Sequence, residues 1–542
     1  MIISKIIVKN YKLLRDVAID LNPTMNIFVG DNDAGKTTIL EALAILTTGK
    51  LNGYAFDRQI KAAIFNSQVR SKYISEVISN KNTPPPKIVF EAYLDGDAQF
   101  KGTQNTLFED VSGINITVDI TPDNAGVYRR MLDEDKIKDI PVELYGVSYH
   151  YFNGEPLSYR YPPFKSVFID TGKKDYYNLI DHFVSDSIAE ILTPSELTDI
   201  AIAYKSSRRT FQYDSVVSRL NESVRKHSVI HEKQVSLCLR EDENDAWKKQ
   251  MSISVDDIPF EYVGYGTQNA IKIELALRNA DTQANVVLME EPENNLSFSN
   301  MTSLIGEIAQ SVGKQIFIST HSSYVSNKLN LTHLLLVKGG RVSSLASLSK
   351  ETKNYFVKMP GYDTLRFVLA PKVILVEGTT DDLIIQRAYL DRYGRLPAED
   401  GIDVFVVDSL AFKRFCEIGK LIRKSMVVVT DNDGNIDANI KKKYREYYDD
   451  DIFSFYYETN ELLNTIEPSV LSVNCADSGE PSDTFKQILS ANDSLVGRDY
   501  NGILSFMYNN KSEWALRVFQ SNETINYPRY IHDVIEHFHE CS

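Results

Sequence analysis

The sequence predicts an α/β protein with two lobes, and three observations support this prediction. An apolar strand, a glycine-containing turn and an amphipathic helix follow one another at 26–46 (NIFVGDNDAGKTTILEALAIL). A second apolar strand runs into acidic residues at 285–296 (NVVLMEEPENNL). After residue 360, strands and helices alternate, and several strands end in carboxylates. At 542 residues the chain is too long for one core, so we expect two to four domains.

The composition is that of an ordinary globular protein, with 43% hydrophobic and 25% charged residues. No run of 18 apolar residues occurs and the N-terminus lacks a secretory pattern, so we expect neither a membrane span nor a signal peptide. The four cysteines lack CxxC spacing, which excludes a zinc ribbon and fits a reducing cytoplasm. Because the net charge is −15, we expect the basic clusters at 205–209 and 441–445 to be solvated faces rather than nucleic-acid contacts.

The first motif is GxxxxGK[ST] from Gly30 to Thr37, the P-loop. Gly30 and Gly35 let backbone amides approach phosphates where a Cβ would block them. Lys36 would neutralise the β- and γ-phosphate oxygens, and Thr37 would offer its hydroxyl to Mg²⁺. The motif therefore predicts that the chain binds ATP with Mg²⁺. The predicted nucleotide-binding residues of this loop are Gly30, Asn32, Gly35, Lys36, Thr37 and Thr38.

Two later strands are expected to complete the nucleotide site. Glu290 ends the apolar strand and would hold Mg²⁺, while Glu291 would orient the attacking water. The strand in QIFISTHSSY (315–324) ends at His321, from where an imidazole can sense a γ-phosphate. The alternative for the acids is a surface turn, and for the histidine a structural role.

A glycine-rich turn, EYVGYGTQNAIKIELAL (261–277), precedes the acidic strand and feeds a helix. Gly264, Gly266 and Gln268 would present a helix N-terminus to phosphate without a lysine, which is useful if the turn caps a nucleotide held by another subunit. The order of these motifs resembles that of the ABC-type ATPases of the SMC/RecF kind, in which two heads sandwich the nucleotide. The resemblance implies a homodimer or a higher even-numbered oligomer.

The gap between Thr38 and Gly264 is too long for a loop. Strands at 87–95 and 114–120 are predicted to form an outer sheet of the same lobe. Residues 166–245 are predicted to form helices, without the sustained heptads of a coiled-coil arm, that provide a dimer contact. The predicted domains are 1–165 (ATPase, first part), 166–245 (helical insertion), 246–360 (ATPase, second part) and 361–542 (C-terminal α/β domain).

Three strands of the C-terminal domain, within 372–390, 401–409 and 424–435, are predicted to form a parallel sheet with their carboxyl ends at one edge. Glu377, Asp431 and Asp433 end two of these strands, and Asp381 lies in the helix after Glu377. Two carboxylates about 4 Å apart repel by about 4 kcal/mol at an effective dielectric of about 20. Because no histidine or cysteine accompanies the acids, we expect a hard cation such as Mg²⁺, Mn²⁺ or Ca²⁺.

EGTTD (377–381) and DND (431–433) resemble the two motifs of the Toprim domain of topoisomerases, primases and some nucleases. An ABC-type head followed by Toprim resembles the OLD family of ATP-linked nucleases, which includes the nuclease subunit of the Gabija defence system and some retron effectors. Within that family, NTIEPSVL (464–471) would make Glu467 a metal ligand, and NNKSEWALRVF (509–519) would make Lys511 an essential lysine. This chain departs from the usual patterns at Glu290, at Asn295 and in VDSLAF (407–412), which lacks glycines. The implied metal ligands are Glu377, Asp381, Asp431, Asp433 and Glu467.

The resemblance implies a nucleotide-regulated endonuclease that hydrolyses DNA with Mg²⁺ or Mn²⁺, and in which Lys511 neutralises the charge of the transition state. It also implies a cytoplasmic antiphage effector, with a companion such as a helicase or a reverse transcriptase with its RNA. Three alternatives stay open: a RecF-type repair ATPase that binds DNA without cutting it, an RNA-processing or primase-like enzyme, and an effector that acts only with a partner. The sequence does not determine whether the substrate is DNA or RNA, or whether one strand or both strands are cut. It also does not determine whether ATP activates or inhibits cleavage.

Overall fold

The computed structural model forms two compact units, Met1–Val325 with Leu335–Val342, and Ser326–Leu334 with Ser343–Ser542. The unit changes at residue 343, earlier than the predicted domain boundary at 361. Within the described residues, no helix is long and apolar enough to cross a membrane. The structure describes residues 1–79, 83–96, 99–160, 163–171, 192–227, 229–230, 233–234, 237, 254–278, 284–310, 313–322, 325, 331–345, 348–358, 364–407, 411–490 and 495–540.

The N-terminal unit opens with an antiparallel sheet, the outer sheet. Its strands are Ile2–Tyr11, Leu14–Asp20, Ile88–Asp95, Lys101–Gly102, Val111–Ile120 and Tyr145–Tyr151. Ile2–Tyr11 pairs with Leu14–Asp20 and Ile88–Asp95, and Val111–Ile120 joins the remaining strands. In Leu14–Asp20 the buried residues are Leu14, Val17 and Ile19 and the others are exposed, as in a strand that covers a core with one face. The outer sheet predicted from 87–95 and 114–120 is confirmed.

The second sheet, the central sheet, carries the predicted nucleotide motifs. Its strands, in spatial order, are Lys165–Asp170, Ala284–Glu290, Gln315–Thr320, Met25–Val29, Leu334–Lys338 and Arg341–Ser344. The first four run parallel, so the ends of Ala284–Glu290, Gln315–Thr320 and Met25–Val29 lie at one edge. Met25–Val29 and Gln315–Thr320 are buried throughout, as expected of parallel strands covered on both faces.

The helices of this unit cover the two sheets and form the insertion. They are Lys36–Thr48, Ser67–Ser79, Ala125–Asp133, Pro194–Gln212, Ser215–His227, Tyr265–Arg278 and Phe298–Gln310. Lys36–Thr48 follows the P-loop and is almost wholly buried. Gly35 and Gly49 flank it with φ values of 111° and 65°, which a side chain would strain.

The prediction that helices begin at 166 is wrong, because Lys165–Asp170 is a strand of the central sheet that pairs with Ala284–Glu290. Its β-branched and aromatic SVFI run suits a strand, and such short apolar runs cannot be assigned by periodicity alone. Pro194–Gln212 and Ser215–His227 are helical, as predicted. The predicted helical insertion is interrupted after His227, since Val229–Ile230 and Lys233–Gln234 form a short antiparallel pair. Its residues 172–191 lie outside the described residues.

The C-terminal unit contains the predicted parallel sheet, called the C-terminal sheet. Its strands, in spatial order, are Ile402–Val406, Lys372–Val376, Met426–Val429 and Phe453–Tyr456, and all pair in parallel. A π-helix spans Asp437–Lys442, directly after the DND turn. The α-helices are Lys350–Lys358, Thr364–Leu369, Thr379–Tyr393, Phe412–Ile422, Arg445–Tyr448, Ile466–Val473, Asp483–Leu489, Tyr500–Asn509, Lys511–Gln520 and Arg529–Glu540.

A buried arginine ties Thr379–Tyr393, which follows Glu377, to Lys511–Gln520. Arg387 is 6% exposed, and its Nε donates to Asp391 Oδ1 at 2.8 Å. Its other nitrogens donate to backbone carbonyls at or just beyond the end of the second helix, those of Val518 (3.2 Å), Phe519 (3.0 Å) and Glu523 (3.2 Å). Since carbonyls at the end of a helix lack partners within it, Arg387 completes that end and holds the helix in place.

Replacing Arg387 by methionine should lower the free energy of unfolding by about 3–5 kcal/mol, because it leaves Asp391 and several carbonyls unpaired in the interior. The matched control is Arg392→Met on the same helix, which removes an exposed pair with Glu536 at 3.2 Å and should cost at most about 1 kcal/mol. Urea denaturation followed by fluorescence measures both changes. Equal losses in the two variants would contradict this account.

Candidate functional site

The DND strand and the strand that ends at Glu377 meet through a shared hydrogen-bond system. Glu377 Oε1 accepts from the hydroxyl of Thr430 and from the amide of Asp431, the latter at 3.3 Å. Thr430 and Asp431 follow the strand Met426–Val429, which pairs in parallel with Lys372–Val376. The parallel register therefore brings Glu377 and Asp431 together at the carboxyl edge of the sheet, as predicted.

Two more predicted acids lie beside this pair, each oriented by a neighbour. Asp381 accepts from the amide of Gly378 at 3.0 Å, at the start of its helix. Glu467 is buried in the first turn of Ile466–Val473 and accepts from the Thr465 hydroxyl at 2.7 Å. Each of these two hydrogen bonds fixes one oxygen of its carboxylate and thereby orients the second oxygen of the same carboxylate.

The middle residue of the DND turn holds the turn in shape. Asn432 is buried, and its amide nitrogen donates to the carbonyls of Glu458 (2.8 Å) and Asn460 (3.1 Å). Its oxygen accepts from the amide of Gly434 at 2.8 Å. Asp433 is exposed and has a φ of 47°, a left-handed conformation that is uncommon outside glycine and clusters at functional sites. The turn thus presents Asp433 to solvent while Asn432 anchors the backbone.

The acids shift one another's protonation. Burial, followed by the charges of Asp381 and Glu377, raises the pKa of Asp431 to about 9. Burial, followed by the charge of Glu377, raises the pKa of Asp381 to about 7, and the charge of Glu467 adds to this rise. Burial also raises the pKa of Glu377. These acids lack enough positive charge around them, and an all-carboxylate set of this kind fits Mg²⁺ or Mn²⁺.

Sequence reasoning missed several groups around this edge. Burial, followed by the charges of Asp381 and Asp431, raises the pKa of Tyr530, a buried residue of the last helix that therefore lies close to both acids. The charge of Lys443 acts to lower the pKa of Glu377, against the larger effect of burial, so this lysine of the basic cluster at 441–445 lies near the acids. Its place in a basic cluster that follows the DND turn was a signal in the sequence, whereas Tyr530 had none.

Lys511 is the first residue of its helix, and its side chain is exposed. Among the described residues, no hydrogen bond or ion pair joins it to the acids. Its neighbour Tyr508 nevertheless lies against the site, because the Tyr508 hydroxyl is 3.4 Å from the Thr465 hydroxyl that donates to Glu467. The last turn of the helix Tyr500–Asn509, three residues before Lys511, therefore lies next to Thr465, the hydrogen-bond partner of Glu467.

In the N-terminal unit the P-loop forms the predicted strand–turn–helix. Lys36 is buried, and its ammonium donates to the carbonyls of Gly30 (2.7 Å) and Asp31 (3.0 Å). A Cβ on Gly30 would lie 2.2 Å from the carbonyl of Val337, so only glycine fits there. Thr37 donates to Glu290, which brings the two predicted Mg²⁺ ligands together. The remaining predicted residues of the loop differ in exposure, since Thr38 is buried and Asn32 is exposed at the rim.

The acids after the Ala284–Glu290 strand lie against the end of the neighbouring strand. Glu291 has a φ of 49°, and its amide donates to the carbonyl of Ser319 at 2.9 Å. This bond fixes the backbone at Glu291, whose carboxylate contacts Nδ1 of His321. Burial and the charge of Glu293 raise the pKa of Glu291, while His321 and Lys36 act to lower it. The predicted catalytic acid and the predicted switch histidine are therefore direct partners.

The predicted capping turn forms as a loop that runs into the helix Tyr265–Arg278. A Cβ on Gly266 would lie 2.3 Å from the carbonyl of Asn295, so the turn packs closely against the segment after the acids. Gln268 is buried, and its amide nitrogen donates to the carbonyls of Phe260 and Val263, both at 2.8 Å. In this structure Gln268 stabilises the capping turn through these two hydrogen bonds, and its contact with nucleotide stays a prediction.

The two units define a P-loop ATPase head and a Toprim-type domain with an acidic edge. The chain belongs to the AAA ATPase domain family, whose model matches residues 1–125 and 132–325, more than half of the sequence. The Toprim domain of proteins like the overcoming lysogenization defect protein matches residues 368–433. The prediction of an OLD-family protein with an ATPase head and a Toprim domain is confirmed.

The chain is similar to several individual proteins and to a solved structure. The chain is 21% identical over 523 residues to the protein named endonuclease GajA of Bacillus cereus, an alignment that covers 80% of this chain and 74% of the relative. It is 48% identical over 48 residues to the DNA replication and repair protein RecF of Mesorhizobium japonicum, covering 9% and 13% of the two chains. The SMC head domain from Thermotoga maritima aligns with a TM-score of 0.31 and 13% identity, over 64% of this chain and 99% of that domain.

Without metal, the protein should become less stable as the pH rises from about 5 to 9. The folded-state pKa values of about 7 for Asp381 and about 9 for Asp431 lie above the unfolded value of about 4, so protonation favours the folded state and this stability is lost as each group ionises. Unfolding temperatures in EDTA measure the loss. Mn²⁺ should reverse it, and Asp431→Asn should make it smaller. A loss of the same size in Asp431→Asn would contradict the assignment.

Alanine at Gly266 should impair nucleotide turnover and lower the unfolding temperature of the head, because its Cβ meets the backbone oxygen of Asn295. Gly264→Ala is the matched control for stability, since nothing lies within 4 Å of the Cβ that it adds. Thermal unfolding of both variants gives the comparison. If Gly264→Ala lost as much stability as Gly266→Ala, the packing described here would be wrong.

Proposed function

We propose that this chain is an endonuclease that hydrolyses phosphodiester bonds of DNA with divalent metal ions, under the control of nucleotide bound at its ATPase head. The observation that carries the proposal is the group of carboxylates at the carboxyl edge of the C-terminal sheet, with the raised pKa values of Asp381 and Asp431. The Toprim match and the similarity to a protein named as an endonuclease support it.

The residues that would hold the metal are Glu377, Asp381, Asp431, Asp433 and Glu467. Divalent ions bound there would activate a water molecule and stabilise the leaving oxygen. The chain's own hydrogen bonds orient the ligands: Thr430 holds Glu377, the Gly378 amide holds Asp381, and Thr465 holds Glu467. Ligands held in this way need little rearrangement during the reaction, which favours catalysis.

We assign roles toward the substrate's negative charge to two lysines. Lys511 begins the helix that follows Tyr500–Asn509, whose Tyr508 contacts Thr465, and we assign to Lys511 the neutralisation of charge that develops in the transition state. Lys443 lies near Glu377 and would contact a neighbouring phosphate of the same strand.

Nucleotide control follows from the head. Lys36 and Thr37 would bind the phosphates and Mg²⁺ together with Glu290, and Glu291 would orient a water for hydrolysis. The exposed Gly264 turn would cap the nucleotide of a second subunit. Pro194–Gln212 and Ser215–His227 support dimerisation, because they expose large apolar side chains, including Ile202 (60%), Phe211 (52%) and Leu220 (51%).

A second candidate function is a RecF-type ATPase that binds DNA without cutting it. The observation that favours it is the local identity to RecF proteins, which is higher than the identity to the endonuclease but spans only 48 residues. The acids of the C-terminal sheet argue for cleavage, because buried carboxylates that bind nothing only destabilise a fold. A role in antiphage defence, with a helicase or a reverse transcriptase as companion, is proposed on the family alone, and phage challenge of cells that carry the gene and its neighbours tests it.

Cleavage of supercoiled and linear DNA by the full chain, with Mg²⁺, Mn²⁺ or EDTA, tests the proposed function. We expect cutting with metal and none in EDTA, because the carboxylates need a cation to act. Asp431→Ala and Lys511→Ala should each reduce cutting by at least about a hundredfold, which corresponds to removing one strong transition-state contact. Lys420→Ala is a matched lysine control, since Lys420 pairs with Asp450 at 3.6 Å on the surface.

The same assay with and without ATP tests the control by nucleotide. Lys36→Ala should lose the response to ATP and keep metal-dependent cutting. The reason is that Lys36 lies in the P-loop of the ATPase head, whereas the acids proposed to bind the catalytic metal lie in the C-terminal sheet. Binding of DNA without any cutting in either metal would favour the RecF-type alternative. A normal ATP response in Lys36→Ala would refute the assignment of the P-loop.

A further inference from the structure

Three side chains at the carboxyl edge of the central sheet bring ligand atoms into one small volume. A carboxylate oxygen of Glu291, one of Glu293 and a ring nitrogen of His321 all lie within 4.8 Å of one another. The predicted Mg²⁺ ligands of the nucleotide, Thr37 and Glu290, form a different pair. One imidazole with two carboxylates suits Zn²⁺ or Mn²⁺ better than Mg²⁺, which prefers oxygen ligands and water.

Glu293 provides a second and independent indication of a ligand. Its side chain is 8% exposed, and Oε2 is buried without a hydrogen-bond partner among the described residues. The other oxygen of the same carboxylate, Oε1, accepts from the His321 amide at 3.3 Å and lies 3.7 Å from His321 Nδ1. A buried polar atom left unpaired costs about 1–3 kcal/mol, and more when it is charged. A cation bound by this carboxylate would offset the cost of burying the unpaired oxygen.

The charges of the group also favour a cation. Two carboxylates whose oxygens lie within 4.8 Å of each other repel, and a cation between them relieves this repulsion. His321 Nδ1 contacts Glu291 and the Thr320 hydroxyl donates to Glu293 Oε1, but neither group is a fixed positive charge that would balance the two acids.

We propose that the head binds a second divalent cation, of the Zn²⁺ or Mn²⁺ class, through Glu291, Glu293 and His321. A cation at this site would bind the Glu291 carboxylate, which could then no longer orient the attacking water. It would also bind the His321 imidazole and so keep it from contacting the γ-phosphate. Its binding therefore slows ATP hydrolysis while nucleotide still binds through the P-loop. This effect on turnover rests on the proposed function of the head, whereas binding of the cation does not.

Titration of the nucleotide-free full chain with Co²⁺, followed by its visible absorption, tests the site directly. All proteins carry Asp431→Asn, which weakens metal binding at the C-terminal sheet. His321→Gln and Glu293→Gln should each weaken Co²⁺ binding by at least about tenfold, and Zn²⁺ should displace Co²⁺ from the parent protein. His532→Gln, which changes an exposed histidine of the last helix, should bind Co²⁺ like the parent.

The variants should fold, because the His321 side chain is 55% exposed and glutamine matches the shape of Glu293. Metal-free thermal unfolding checks this. Co²⁺ binding that persists unchanged in both variants, or a parent protein that binds no Co²⁺, would overturn the proposal.

ATP turnover at fixed Mg²⁺–ATP with increasing Zn²⁺ tests the regulatory effect. We expect turnover to fall while the affinity for nucleotide stays constant, and Glu293→Gln to need about tenfold more Zn²⁺ for the same inhibition. If Co²⁺ binds at His321 but the rate of ATP hydrolysis does not change with Zn²⁺, the regulatory role would be overturned. A parent protein without any ATP turnover would refute the proposed function of the head, and the Co²⁺ titration would still decide whether the cation site exists.

Discussion

Repulsion among the carboxylates at the edge of the C-terminal sheet is the constraint on which the rest of that unit depends. Parallel pairing brings Glu377 and Asp431 together, and burial followed by the charges of neighbouring carboxylates raises the pKa values of Asp431 and Asp381. Neighbouring residues hold the acids in this unfavourable arrangement. Thr430 binds Glu377 and Asn432 anchors the turn between the two aspartates. A fold that holds like charges together without a cation gives up stability, which is the expected signature of a functional site.

The head uses the same geometry for a different purpose. In its central sheet too, parallel strands end at one edge, and the P-loop, Glu290 and His321 follow three of those strands. There the acids are partly compensated by groups of the chain itself, since Thr37 binds Glu290 and His321 contacts Glu291. The mixed donor set of the head and the all-carboxylate set of the C-terminal unit therefore favour different cations.

The sequence was sufficient to predict the helices and strands that have strong local patterns. The P-loop helix, the acidic strands and the helix that contains Asp381 were predicted because glycines, apolar runs and acids mark them directly. The strand Lys165–Asp170 was predicted as part of a helical insertion, because a short apolar run has no periodicity of its own and its pairing with Ala284–Glu290 depends on residues far along the chain.

The supporting residues of the sites were harder to predict for the same reason. Tyr530 lies about a hundred residues after Asp431 and is brought to it only by the packing of the last helix. Asn432 was visible between two aspartates, but its partners at 458 and 460 depend on the path of the chain. The roles of Glu467 and Lys511 came from the family resemblance, whereas the metal role of Glu377, Asp431 and Asp433 followed from the acidic ends of the strands, and all of these roles stay predictions.

The most direct test of the central claim is anomalous X-ray scattering from crystals of the full chain soaked in Mn²⁺. The account predicts two anomalous peaks about 3.5–4 Å apart among Glu377, Asp431 and their acidic neighbours, the separation of paired catalytic metals. An edge of the C-terminal sheet without anomalous density, at an Mn²⁺ concentration that supports DNA cleavage, would contradict it.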